Sequence, residues 1–181
     1  PVIERLRERG VVPFITHTRA DVEQTAAAID AGAIHATHFY DVFHVPAETE
    51  PGARPVGAVE AILADPRASV DFIADGVHVH PMAIRAAVAA KGYANVMLIT
   101  DANVGAGLPE GVYDTPWGYP VRVAPGKGAR VVEGQPMAGV LAGSALTMND
   151  GVKILLAWLP LPPAQVWAMA TSNPARLLNL P

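Results

Sequence analysis

Through the first hundred positions, apolar runs of about five residues alternate with longer amphipathic stretches, and each run closes on or just before a polar side chain. Residues 2–10 carry charges around Ile3 and Leu6 and stop at Gly10, which predicts a short exposed helix. Residues 11–16 read as a buried parallel strand closing at His17. Residues 20–31 follow at helical spacing through Val22, Ala26 and Ile29, with Thr18 as candidate N-cap and Gly32 as the stop. Residues 33–37 then predict a second strand, ending at His38. The interval suits one strand–helix–strand unit with short connections.

The pattern repeats after an insertion. Residues 39–54 are rich in Pro, Glu and Gly without a clear period and read as a long loop, a kind that is usually functional inside a compact domain. Pro55 opens a helix to residue 64, and residues 70–74 give a third strand delivering Asp75, Gly76 and His78. Pro81 opens the next helix, Lys91 and Gly92 close it, and residues 96–100 form a fourth strand that delivers Asp101. Such alternation is the signature of an α/β fold with a parallel sheet, closed or open.

Beyond Asp101 the character changes. Residues 103–111 read as glycine-rich loop, and a β-hairpin excursion spans about 113–135, its strands near 119–123 and 129–132 on either side of Pro125-Gly126-Lys127-Gly128. Residues 139–147 are small and apolar. Helices are expected at 152–159 and 164–171, and Asn173 followed by Pro174 reads as the cap of a last short helix.

Composition narrows the function. The 181 residues, half of them hydrophobic, can bury a core, and a net charge of −4 with no Lys/Arg run offers nucleic acid no basic field. No stretch has the length of a membrane span or the form of a signal peptide. The chain opens on Pro1 and closes on Pro181 directly after a helical pattern, and it reads as an excised piece. Without cysteine, any metal must be held by His and carboxylates.

In a parallel barrel, residues that close successive strands converge at the C-terminal face; here these are His17, His38, His78 and Asp101. Two imidazoles plus carboxylates suit a zinc-class ion, which lowers the pKa of bound water to about 7 and polarises a carbonyl, with a nearby carboxylate to manage protons. Each residue also has a structural reading. Asp101 could cap the turn before Asn103, and any one strand-end His could be a hydrogen-bonded packing residue. His35 and His80 read as packing or solvent residues, His44 stays uncommitted in the long loop, and Trp117, Trp158 and Trp167 read as core or interface anchors.

Five ordered stretches then carry a resemblance: Ala36-Thr37-His38-Phe39-Tyr40-Asp41, Ile73-Ala74-Asp75-Gly76-Val77-His78, Leu98-Ile99-Thr100-Asp101-Ala102, Leu141-Ala142-Gly143-Ser144-Ala145-Leu146-Thr147-Met148 and Ala170-Thr171-Ser172-Asn173-Pro174-Ala175. In this order the chain resembles the N-acetylglucosamine-6-phosphate deacetylases of the amidohydrolase superfamily. The resemblance implies the C-terminal half of a (β/α)8 TIM-type barrel, strands five to eight. It implies His17 and His38 as metal ligands, Asp101 as catalytic acid/base, and His78, Asp41, Arg54, Ala142, Gly143 and Ser144 as substrate-binding residues, Arg54 reaching the phosphate across a homodimer interface. The family's third ligand, a Glu, would precede Pro1. The implied cofactor is a divalent metal, zinc first, with iron, manganese or cobalt as alternatives; the implied setting is cytoplasmic amino-sugar metabolism on a small-molecule substrate. One departure stands out: Asp41 replaces the family's usual Asn, an anion where a phosphate would be held, and the loop between Asp41 and Arg54 is longer than the family's.

Three functions follow from this reading. The first is hydrolysis of the N-acetyl amide of N-acetylglucosamine-6-phosphate, with the isolated piece inactive and showing an open half-barrel. The second keeps the chemistry on an unphosphorylated N-acyl sugar or another small amide. The third is an inactive ligand-binding or assembly module.

Overall fold

A computed structural model of the protein describes residues 2–181. Four parallel strands, β1 (Phe14–Ile15), β2 (His35–Ala36), β3 (Ser69–Ile73) and β4 (Val96–Ile99), lie side by side in that order. Helix α1 (Val2–Glu8) precedes them, and α2 (Val22–Asp30), α3 (Ala58–Ala64) and α4 (Pro81–Lys91) form the connections. The register sets Phe14 against His35, His35 against Ser69 and Val70 against Val96, so the C-terminal ends of the strands rise together.

β3 is the spine: all five of its residues are buried, because strands flank it on both sides. Phe72, Val70, Val96 and Leu98 of the sheet pack with Ile29, Ile62 and Ile84 of the connecting helices. β1 departs from the expected six-residue buried strand. Pro13 has no N–H to give a ladder, and the strand lies at the sheet edge, leaving Phe14 39% exposed.

Several helix starts shift by a few residues, each for a local reason. Asp21, not Thr18, caps α2: it accepts the Gln24 N–H at 2.7 Å while Gln24 accepts the Asp21 N–H at 3.2 Å. Thr18 instead accepts from the Ala20 N–H at 3.0 Å. α3 begins at Ala58 rather than Pro55, because the Glu60 carboxylate reaches back 3.0 Å to the Gly57 N–H. His80 caps α4 by accepting the Met82 N–H at 3.2 Å. At the other end of α4 the buried Lys91 ammonium donates to the Ile62 and Asp65 carbonyls, which close α3. The loop expected over residues 39–54 is not free along its length: Phe39 and Phe43 are buried in the core, edge-to-face with one another, and Phe39 meets Phe72 in the same way.

The second sheet is antiparallel: β5 (Gly111–Tyr113), β6 (Val121–Ala124) and β7 (Gly128–Val131). The expected hairpin is therefore the outer part of three strands; β5, three residues opened by a glycine, carries too little pattern to read. After it, Ser144 forms a parallel bridge with Ala102, carrying the 139–147 segment alongside the end of β4. Helices α5 (Met148–Trp158), α6 (Pro163–Ala170) and α7 (Ser172–Leu177) complete the chain, α5 starting at Met148 because Thr147 accepts the Asp150 N–H at 3.2 Å. Asn173 is not a cap. It lies inside α7, 1% exposed, and its amide donates to the Tyr93 and Val96 carbonyls at 2.8 and 2.9 Å, tying α7 to the start of β4. No helix among the described residues is long and apolar enough to cross a membrane.

Candidate active site

The strand ends share one backbone peculiarity. His17, His38 and Asp101 all have positive φ, at 45°, 36° and 46°, a region that non-glycine residues enter at a cost of about 1–2 kcal/mol each. All three are residues expected to carry the chemistry.

His17 and His38 meet: their Nε2 atoms are 3.1 Å apart and their rings are edge-to-face. His38 Nδ1 lies 3.2 Å from the Asp41 carbonyl oxygen, which can only accept, so Nδ1 carries the proton and Nε2 presents its lone pair. The Thr16 hydroxyl, 3.0 Å from that Nε2, is placed to donate to it. Two nitrogens 3.1 Å apart, each about 2.05 Å from a shared ion, would subtend roughly 100°, close to the tetrahedral angle of a zinc-class site. The pair fits two positions of such a site, and no group of three metal-ligating side chains occurs among the described residues.

His78 follows β3 on a turn built by Asp75, whose Oδ1 accepts the Val77 and His78 N–H groups at 2.9 and 3.0 Å and whose Oδ2 lies 2.8 Å from His78 Nδ1. Both side chains are buried, at 2% and 7% exposure for His78 and Asp75. Burial opposes ionisation of Asp75, but the bonds from His78 and Val77 outweigh it and hold the carboxyl below its ordinary range. Burial likewise opposes the His78 imidazolium; the bond and charge of Asp75, with the charges of Asp41 and Asp101, outweigh it and raise His78 above its ordinary value. Asp41 and Asp101 therefore act on the same imidazole.

Asp101 itself is exposed at the rim of a cavity of about 320 Å³ lined by Asn103, Trp117, Tyr119, Ala142 and Gly143. Its carbonyl accepts the Ser144 N–H at 2.7 Å. Ser144 is wholly buried and its hydroxyl is committed inward, donating to the Thr100 carbonyl and accepting the Leu146 N–H at 3.0 Å. Ala142 and Gly143 line the cavity; Ser144 braces its wall. Arg54 faces solvent, 84% exposed, with Glu60 3.6 Å away, and makes no hydrogen bond or ion pair to the histidines among the described residues. A hollow of about 390 Å³ lies at the opposite ends of the strands, against Val12, Pro13, Ser69 and Asn95, away from all of these groups.

The N-acetylglucosamine-6-phosphate deacetylase of Vibrio furnissii is 39% identical over 178 residues, 98% of this chain and 41% of that protein. The N-acetylgalactosamine-6-phosphate deacetylase of Escherichia coli O157:H7 is 36% identical over 178 residues, 98% of this chain and 44% of that protein. A solved N-acetyl-D-glucosamine-6-phosphate deacetylase mutant from Mycobacterium smegmatis, in complex with N-acetyl-D-glucosamine-6-phosphate, superposes with a TM-score of 0.84 at 35% identity, covering 99% of this chain and 45% of that one. This chain belongs to the N-acetylglucosamine-6-phosphate deacetylase family.

It spans somewhat over two fifths of the length of these two relatives. No protein-family model matches the sequence. Against this deacetylase background, Asp71 and Thr16 are absent from the candidates the sequence offers, and Asp75 is placed at its strand end without a role. Asp75 was visible as a strand-end carboxylate three positions before His78, a spacing at which a turn brings the two together. His35 packs inward as expected, with its partners on β3, and His80 serves as a helix cap. Trp117 and Trp167, 59% and 50% exposed, are not core residues; Trp117 stacks on Tyr119 beside Asp101, while Trp158 alone packs against the core.

Proposed function

We propose that this chain is the C-terminal half of a metal-dependent (β/α)8 deacetylase that hydrolyses the N-acetyl amide of a 6-phosphorylated amino sugar, releasing acetate and the free amine. The observation that carries this is the meeting of His17 and His38 at 3.1 Å, with the proton of His38 held on Nδ1 by the Asp41 carbonyl.

His17 and His38 would hold the ion. Such an ion, when bound, polarises the amide carbonyl and acidifies the attacking water. Asp101 takes the proton of that water and returns it to the leaving nitrogen, so that the C–N bond breaks as the amine forms. His78, its Nδ1 engaged by Asp75, turns its other nitrogen to substrate and supplies a hydrogen bond to the acetamido group or a sugar hydroxyl. The segment from Ala142 to Ser144 shapes the wall beside Asp101. Arg54, exposed beyond the site, would serve the phosphate in a homodimeric assembly. Relatives acting on both the gluco and the galacto sugar are consistent with either epimer as substrate.

In the complete protein, Asp101→Asn should abolish turnover of N-acetylglucosamine-6-phosphate while leaving bound metal in place, and His17→Ala should lose the metal. Retained turnover in the first variant, or full metal occupancy in the second, would contradict the assignment. A second reading, weak dependence on the phosphate, is favoured by Asp41, whose charge lies near enough to His78 to raise it.

A further inference from the structure

The mechanism leaves one buried carboxylate without a task. Asp71, 3% exposed, interrupts the apolar run of β3 between Val70 and Phe72. A carboxylate buried there costs several kcal/mol unless its oxygens are fully bonded, and these are. Oδ1 accepts the His38 N–H at 2.5 Å; Oδ2 accepts the Thr37 hydroxyl at 2.8 Å and faces His35 Nε2 at 2.9 Å. The Asp71 carbonyl takes the Phe39 N–H at 2.9 Å, so three successive residues hang on one position of β3.

The donors behind this are fixed as well. His35 is held from both sides, its Nδ1 2.8 Å from Ser69 Oγ and its Nε2 donating to Asp71 Oδ2 at 2.9 Å, since the carboxylate oxygen can only accept. The pair is a rigid buried anchor. What it anchors is a residue held in unfavourable backbone: His38, at φ 36°, would regain extended backbone and carry its ring away from His17 if its N–H lost the carboxylate.

We propose that Asp71, braced by His35, is a positioning residue that sets His38 for metal binding. This rests on the reading of His17 and His38 as ligands. Outer partners of a ligand typically contribute roughly 10–100-fold to metal affinity, and Asp71→Ala should weaken binding by that factor. Asp71→Asn keeps an acceptor oxygen for the His38 N–H at nearly the same volume and should stay within roughly threefold of wild type.

The test titrates the complete metal-free protein with Zn²⁺ against a chromophoric chelator, with thermal melts alongside. Zinc affinity in Asp71→Ala equal to wild type, whatever happens to the melting temperature, overturns the proposal and leaves Asp71 a stability residue. Affinity lost equally in Asp71→Asn overturns it too, because the retained acceptor should rescue. Should Asp71→Ala not fold, Thr37→Val decides: it deletes the hydroxyl on Oδ2 at near-constant volume and should weaken zinc several-fold, and unchanged affinity overturns the proposal. A wild-type protein that binds no zinc, or a His17→Ala variant that binds it fully, overturns instead the ligand reading beneath.

Discussion

Replacing Gly143 with alanine isolates the fit between the 139–147 segment and Asp101. A Cβ built at Gly143 would stand 2.6 Å from the Asp101 carbonyl oxygen, where ordinary contact begins near 3.4 Å, so backbone must yield by about 0.8 Å. The atom that yields belongs to the proposed acid/base, and a misplacement of about 1 Å at a reacting group can cost about 100-fold in rate. Gly143 also has φ 76°, which adds about 1–2 kcal/mol of backbone cost for alanine. Gly134 separates the two effects: its φ is 81°, yet a Cβ there meets nothing within 4 Å. Gly143→Ala in the complete enzyme should lower kcat by about 100-fold, while Gly134→Ala loses stability alone. Steady-state kinetics with matched thermal melts measures both. A Gly143→Ala enzyme within twofold of wild-type kcat would refute the claim that this close approach sets Asp101.

The Asp75–His78 pair predicts a pH signature. His78 is raised above 6.5, so its contribution is complete below 6.5 and fades as pH rises through the raised value; Asp75 is lowered below 3.8, so its contribution is complete above 3.8 and fades as pH falls through the lowered value. The melting-temperature gap between wild type and His78→Gln should therefore be widest between pH 3.8 and 6.5 and shrink on the alkaline side; a gap that widens there contradicts the pairing. For the phosphate, Asp41 should weaken discrimination: kcat/KM should fall only modestly on the unphosphorylated sugar, and a strong preference that persists in Arg54→Ala would contradict both assignments. Asn173→Ala deprives the buried Val96 carbonyl of its amide donor, while the Tyr93 carbonyl keeps the Val96 N–H, and at about 1–3 kcal/mol per buried acceptor the unfolding free energy should drop by about 1–3 kcal/mol, read from urea midpoints at constant slope; a loss under about 0.5 kcal/mol would show that water replaces the amide.

The strand–helix alternation was legible because glycine and proline punctuate it and because each apolar run ends on a polar residue, which located His17, His38, His78 and Asp101 at once. What stayed hidden depends on partners distant in sequence. Asp71 reads as a polar break in a buried strand, and its meaning lies in His35, 36 positions earlier. Asn173 carries the pattern of a cap, Asn before Pro, yet its partners are the carbonyls at the start of β4. Phe39 and Phe43 sit in a segment without period because they anchor a turn rather than line an element. Caps failed in a smaller way: Thr18 and Asp21 are equally good cap types, and only Gln24 at the right spacing distinguishes them.

The ammonium of Lys91, closed over the end of α3, also divides the three lysines of this sequence by chemical accessibility. Lys127 and Lys153 stand in solvent, open to an acylating reagent. Lys91 must first give up two carbonyl partners, and burial lowers its proton affinity without exposing the lone pair. An amine-reactive label counted by peptide mass will therefore enter two sites rapidly and the third only when α3 and α4 part, making the third label a clock for the opening of the helical layer behind the active-site strands.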